Sequence, residues 1–293
     1  MEYKIGWIGT GVMGKQMCLH VLTAGNTVTV YNRTREKAGE LIAAGAIWAE
    51  SPKEVAAVSD IVFTIVGFPD DVKQVFLGTE GVLAGAKSGS ILVDMTTSIP
   101  DLAKTIAAKA KSQGVVVLDA PVSGGDVGAR DGRLAIMAGG DKEAFKAVLP
   151  VFETFGEHIA YMGPAGTGQH TKMCNQILIA ANMAGVVESL LYAQKAGLSQ
   201  DEVIAIVGKG AAGSFSINKV APRIVKNDFD PGFYIKHFVK DMGIALSECR
   251  RMNLSLPCLA LVYQFYIAAI AIGFENLGVQ ALYRVCARMN GME

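Results

Sequence analysis

The chain has 293 residues, 51% hydrophobic and 18% charged, which is enough apolar material for a buried core and excludes a disordered chain. Lys+Arg and Asp+Glu each number 27, so the formal net charge is zero and there is no basic excess to release counterions from a nucleic acid. The five cysteines, at 18, 174, 249, 258 and 286, are odd in number, widely spaced and without a CxxC pair. That argues against a disulfide framework or a structural zinc site, and no metal is expected.

The first residues, MEYKIGWIGTGVMG, show no basic stretch followed by an apolar run and a small-residue cleavage site. A reduced, cytoplasmic setting is the expectation. Lys4–Ile8 is a short apolar run that stops at a glycine, and Gly11–Ala24 follows with helical periodicity and ends at Gly25. Thr27–Tyr31 is rich in β-branched residues. Further apolar runs stand at Ile61–Val66, Ser90–Asp94, Val115–Asp119 and Leu134–Ala138. Helical segments separate them at Arg35–Ala44, Pro52–Ser59, Asp70–Leu77, Pro100–Gln113 and Lys142–Phe155. Near-continuous apolar strands alternating with amphipathic helices predict a mostly parallel, doubly wound α/β sheet covered on both faces.

The pattern changes at the glycine-rich segment Gly163-Pro164-Ala165-Gly166-Thr167-Gly168. Beyond it the strand signal ends, and helical patterns cover Gln169–Lys195, Ser199–Val207, Lys236–Met252, Pro257–Ile272 and Asn276–Met289. The expected organisation is a nucleotide-type α/β domain over residues 1–162 and an all-α domain over 163–293. The uncharged stretch from Met252 to Phe274 is long enough to span a bilayer. However, Pro257 sits where a first helical turn tolerates it, Gln264 and two tyrosines interrupt the run, and no one-sided Lys/Arg cluster flanks it. A buried helix, apolar all round as a subunit interface requires, is expected instead of a membrane span.

Gly9-Thr10-Gly11-Val12-Met13-Gly14 is a G-x-G-x-x-G pattern. In a chain with 33 glycines it is weak alone, but here it follows a strand and opens a helix, the context the motif requires. Gly9 permits the tight turn, Gly11 lets the backbone approach a pyrophosphate, and Gly14 lets helix and strand pack closely. The helix N-terminus then offers N–H groups and positive potential to phosphates. The alternative is an ordinary βα turn. At the end of the second strand, Tyr31-Asn32-Arg33-Thr34 lacks the acid that would bind a ribose 2′-hydroxyl. Arg33 can pair with a 2′-phosphate, with hydrogen bonds from Asn32 and Thr34, so NADP(H) is expected over NAD(H). Otherwise Arg33 is a solvated turn residue.

Asp119-Ala120-Pro121-Val122-Ser123-Gly124-Gly125 lies at the C-terminal end of a strand, where open α/β sheets place ligands. A serine hydroxyl beside glycine N–H groups makes a cradle for a carboxylate, though a plain structural loop reads the same way. In Gly163-x-x-Gly166-x-Gly168-x-x-x-Lys172-x-x-Asn175, Lys172 and Asn175 share one helix face. Apolar neighbours would bring a lysine towards acid–base chemistry; a lysine that snorkels to water from the helix end is the competing reading. Lys240-Asp241 either reaches the ligands or forms a solvated helix start, and His237 has no Cys or His partner for a metal.

These segments occur in order along the whole chain, and together they resemble the β-hydroxyacid dehydrogenase family. That family includes 3-hydroxyisobutyrate dehydrogenase, tartronate semialdehyde reductase and glyoxylate/succinic semialdehyde reductase. The resemblance implies a Rossmann domain joined by a long helix to an all-α domain, with the active site between them. It implies that Lys172 is the catalytic acid/base, that Asn175 binds substrate, and that Ser123, Gly124 and Gly125 hold a substrate carboxylate. It implies cofactor contacts at Thr97, at Val66-Gly67 over the adenosine side, and at Lys240 near the nicotinamide. The implied reaction is the reversible, NADPH-dependent reduction of a small aldehyde acid, with a homodimer or homotetramer as the assembly. In Pro231-Gly232-Phe233-Tyr234-Ile235-Lys236-His237, Pro-Gly-Phe resembles the tartronate branch. Lys-His with Lys240-Asp241, and Asn32-Arg33-Thr34, resemble the glyoxylate/succinic semialdehyde branch, which is favoured. 3-Hydroxyisobutyrate dehydrogenase is the nearest alternative. A 6-phosphogluconate dehydrogenase would need an arginine cluster for a sugar phosphate, while an imine reductase or a non-catalytic nucleotide-binding protein would lack Lys172.

Overall fold

The computed structural model describes residues 3–292. Its first part runs β1 (Ile5–Ile8), α1 (Val12–Thr23), β2 (Val28–Tyr31), α2 (Gly39–Ala43), β3 (Ile47–Trp48), α3 (Pro52–Val58), β4 (Ile61–Thr64), α4 (Pro69–Leu77), α5 (Val82–Gly85) and β5 (Ile91–Asp94). It continues through α6 (Pro100–Lys111), β6 (Val116–Asp119), β7 (Val122–Ser123), α7 (Gly125–Arg130), β8 (Leu134–Gly140), α8 (Lys142–Phe152) and β9 (Gly156–Gly163). Then follow α9 (Thr167–Lys195), α10 (Gln200–Val207), α11 (Ala221–Val225), α12 (Ile235–Met252), α13 (Pro257–Ala271) and α14 (Leu282–Met289). The chain divides into two compact units, with Lys172 the last residue of the first and Met173 the first of the second. The division falls inside α9.

The strand sequences explain the sheet. IGWI, VTVY, IVFT, ILVD and VVLD are short, largely buried runs rich in β-branched residues. Successive side chains point to opposite faces. Trp7, Phe63, Val93 and Leu118 therefore join one core with Met17 and Val21 of α1 and Val148 and Phe152 of α8. Ile8, Val62, Leu92 and Val117 join a second core with Val55, Phe76 and Ile106 from α3, α4 and α6. A strand covered on both faces has no polar side, which is why its sequence runs apolar instead of alternating. Trp7 stacks on Phe63 at 5.3 Å and meets Phe155 edge-on at 6.0 Å. Each such pair adds about 0.5–1.5 kcal/mol beyond area burial.

The order β3-β2-β1-β4-β5-β6 is parallel throughout. The chain winds outward from β1 in one direction and from β4 in the other, so a ligand crevice is expected beyond the carboxyl ends of these two strands. Past β6 the sheet becomes mixed: β8 is antiparallel to β6 and β7, and β9 is parallel to β8. The doubly wound expectation holds. Three strands are additions to it. β3 and β7 have two residues each, too few to show a period. β9 carries exposed Glu157 and His158, which mask its pattern.

Local signals set several helix starts. The Ser51 side chain accepts from the Glu54 N–H at 3.1 Å with Pro52 following, and Asp141 accepts from the Ala144 N–H at 2.8 Å. Each cap is worth about 1 kcal/mol. In the second unit, α13 has 15 residues. At about 1.5 Å per residue that is short of a bilayer's hydrocarbon thickness. It is not apolar-buried all round either: Leu259, Val262, Tyr266 and Ala269 form its buried stripe, while Leu261 and Ile267 are exposed. Among the described residues, the 29-residue α9 is the one helix that length and composition alone would allow to cross a membrane, and 44% of its apolar window is buried in the fold.

Candidate active site

Gly9 leaves β1 with φ +96°, and a side chain there would run into the Ile65 carbonyl. The Trp7 indole Nε1–H donates to the Gly9 carbonyl oxygen at 3.1 Å, so a core residue pins the turn. A Cβ on Gly14 would meet the Gly9 carbonyl oxygen and come within 2.7 Å of Ile65 Cγ2, so α1 rests directly on the turn. At Gly11 a Cβ meets nothing within 4 Å. Gly11 is the N-cap of α1, and no side chain caps that end. The space beside Gly11 is therefore open, flanked by exposed Val12 and half-buried Met13.

The end of β2 is tied to this turn. The Thr10 N–H donates to Asn32 Oδ1 at 3.0 Å, and Asn32 Nδ2 donates to the Thr34 carbonyl at 2.8 Å. Asn32 thus shapes the loop that presents Arg33, whose side chain is 86% exposed and 3.4 Å from Asp71 Oδ1. The other Asp71 oxygen accepts from the Phe68 N–H at 3.1 Å. Exposed Thr34 follows. The Val66 N–H donates to Thr96 Oγ1 at 3.0 Å, joining the loops after β4 and β5; Val66, Gly67 and Thr97 are all half-buried. A helix N-terminus without a side-chain cap, at the turn after β1, fits the pyrophosphate of a dinucleotide.

Beyond β6, Ser123 is half-buried, and Gly124 (φ +136°) and Gly125 (φ +65°) take left-handed conformations that favour glycine. Asp119, at the end of β6, accepts from the Gly166 N–H at 2.7 Å and the Gln169 N–H at 2.8 Å, capping α9 from another strand. Burial pushes its carboxyl up to about 6, against the backbone N–H donors that pull it down. Six residues after Gly166, Lys172 is buried in α9. It does not snorkel to bulk water.

Farther along, Asn175 Nδ2 donates to Gln176 Oε1 at 2.7 Å, and Gln176 Nε2 donates to Asp241 Oδ2 at 2.6 Å. Lys240 Nζ lies 3.2 Å from Asp241 Oδ1, with the two side chains 12% and 2% exposed. A polar chain therefore links Asn175 to Lys240 inside the second unit. Because α12 begins at Ile235, Lys240 and Asp241 stand one turn in and largely buried, which removes the solvated-start reading. The sequence-based site gave no role to Asp119, which only opened the Asp119–Gly125 segment, and did not include Gln169 or Gln176. Their signal was position alone: a carboxylate closing a strand, and amides beside a glycine and beside Asn175.

Residues 4–163 match the family model of the NAD binding domain of 6-phosphogluconate dehydrogenase, and residues 166–286 match the family model for NAD-binding of NADP-dependent 3-hydroxyisobutyrate dehydrogenase. An uncharacterized oxidoreductase of Bacillus subtilis is 52% identical, over 97% of this chain and 99% of its own. The 2-hydroxy-3-oxopropionate reductase of Escherichia coli is 36% identical, over 98% of each chain. Among solved structures, the 3-hydroxyisobutyrate dehydrogenase of Mycobacterium tuberculosis with L-serine is similar at a TM-score of 0.88 and 28% identity, covering 98% of this chain and 99% of that one.

Proposed function

Since the chain belongs to the β-hydroxyacid dehydrogenase family, NAD(P)-dependent oxidoreductases acting on a CH–OH group of small carboxylates, we propose that it is an NADPH-preferring reductase of a small aldehyde acid. The favoured substrates are of the glyoxylate or succinic semialdehyde type, with tartronate semialdehyde close behind. Residues 1–162 serve the dinucleotide, and residues 163–293 serve substrate and the contacts of a homodimer or homotetramer.

Gly9, Thr10, Gly11, Val12, Met13 and Gly14 would hold the pyrophosphate, and Asn32, Arg33 and Thr34 the 2′-phosphate. Val66 and Gly67 would flank the adenosine side, Lys240 would lie near the nicotinamide, and Thr97 would contact the cofactor. The dinucleotide supplies hydride when bound. The Ser123 hydroxyl and the Gly124 and Gly125 N–H groups bind the substrate carboxylate and leave its carbonyl facing Lys172. Lys172 Nζ hydrogen-bonds that oxygen and gives it a proton as the hydroxyl forms; in oxidation it takes the proton back. Asn175 orients the same substrate. Fixing both partners in one geometry removes much of the entropic barrier.

The observation that carries the reading is Lys172, a buried lysine three residues from Asn175 on a helix whose start is capped from the strand leading to Ser123. Support for NADPH comes from Arg33 and from the absence of an acid at the end of β2. The match of residues 166–286 favours 3-hydroxyisobutyrate as the second candidate substrate. The test is the loss of NADPH absorbance, with NADH in parallel, against glyoxylate and the semialdehydes of succinate, tartronate and methylmalonate. Turnover of glyoxylate or succinic semialdehyde with NADPH preferred is expected. Turnover confined to methylmalonate semialdehyde would move the substrate to the second candidate, and turnover of none would overturn the reading.

A further inference from the structure

Gln169 is fully buried, one residue past the last glycine of Gly163–Gly168 and three before Lys172. A buried amide needs partners for its donor and its acceptor, and this one has both. Its Nε2 donates to the Thr96 carbonyl oxygen at 2.7 Å, and its Oε1 accepts from the Ser98 N–H at 2.8 Å. Its own backbone N–H donates to Asp119 Oδ2 at 2.8 Å. One residue therefore grips the main chain on both sides of Thr97 and the carboxylate that ends β6. Thr96 in turn accepts through Oγ1 from the Val66 N–H at 3.0 Å. Residues i and i+3 share a helix face, so the side chains of Gln169 and Lys172 leave α9 on the same side, one turn apart.

We propose that Gln169 is a positioning residue: it sets the turn of α9 that carries Lys172 against the loop that carries Thr97, so that proton donor and cofactor loop keep one geometry. The proposal rests on the reading of Lys172 as the acid/base and adds a residue to it. An apolar side chain of the same size would fill the space but leave the Thr96 carbonyl and the Ser98 N–H without their partners, and the two segments would slide independently. Misplacement of reacting groups by about 1 Å can cost about 100-fold in rate.

The test replaces Gln169 with Met, which keeps the volume and removes both hydrogen bonds, and with Glu, which keeps only the acceptor for Ser98. Active sites are counted by NADPH fluorescence titration, and NADPH oxidation is followed in a single turnover, per titrated site. The expected result for Gln169→Met is a single-turnover rate at least about tenfold lower, with KM for the aldehyde acid changed less than threefold. A purely structural role would lower the melting temperature and the number of sites but leave the rate per site alone. A rate within twofold of wild type in the folded variant overturns the proposal. Should Gln169→Met fail to fold, Gln169→Glu is held to the same criterion. Lys172→Ala is the control. If it keeps its turnover, the acid/base reading and this proposal fall together; if it loses turnover while Gln169→Met does not, this proposal alone falls.

Discussion

Lys172 and Arg33 carry opposite kinds of chemical information. Lys172 is buried on a helix, and Arg33 is largely exposed on a loop. On the proposed reading, replacing Lys172 with Ala removes a proton donor but no piece of the nucleotide turn. The expected outcome is kcat lower by about 10²–10⁴-fold with NADPH affinity nearly unchanged, read by steady-state kinetics and fluorescence titration. If Arg33 binds the 2′-phosphate as proposed, replacing it with Ala should lower the ratio of kcat/KM for NADPH to that for NADH. An unchanged ratio would remove NADPH preference from this residue. The 3.4 Å contact with Asp71 is exposed and single, so it holds the arginine only weakly.

At the scale of elements, the β1–α1 turn separates folding from binding within six residues. A Cβ at Gly14 collides with the Gly9 carbonyl, so Gly14→Ala forces α1 away from the sheet. It should destabilise the fold by about 1–3 kcal/mol in denaturant unfolding. A Cβ at Gly11 meets nothing within 4 Å. Gly11→Ala should therefore melt like wild type, and if the pyrophosphate approaches there as proposed, its KM for NADPH should rise at least about tenfold. Equal loss of stability in both variants would contradict this division. This turn was legible in the sequence because its glycines, strand and helix are contiguous. The clasp formed by Asp119 and Gln169 was not, since 50 residues separate its partners and nothing local marks them as neighbours.

On the scale of the whole molecule, Asp119 makes stability depend on pH in an unusual direction. A carboxyl raised from 3.8 to about 6 by burial binds a proton in the folded state where the unfolded chain has lost it. Its contribution to stability therefore falls as pH rises from about 4 to about 6, and above that the buried charge costs about 3 kcal/mol. Asp228 acts in the opposite sense: the Arg223 guanidinium holds its carboxyl below the ordinary range, so its stabilisation is lost in acid. The melting-temperature difference between wild type and Asp119→Asn should shift in favour of wild type on going from pH 7.5 to pH 5. An equal difference at both pH values would show that Asp119 titrates normally. For the proposed homodimer or homotetramer, light scattering should give the mass of two or four chains.

By itself the sequence determined the doubly wound order of strand and helix, the change to helices near residue 163, the nucleotide turn and the family, because each rests on periodicity or on motifs carried by contiguous residues. Only the tertiary structure decided that Lys172 is buried, that Lys240 and Asp241 sit within their helix, and that α13 buries one stripe only. It also decided that β3, β7 and β9 complete the sheet. These depend on which distant segments pack together, and burial and hydrogen bonding between segments 50 or more residues apart leave no period along the chain.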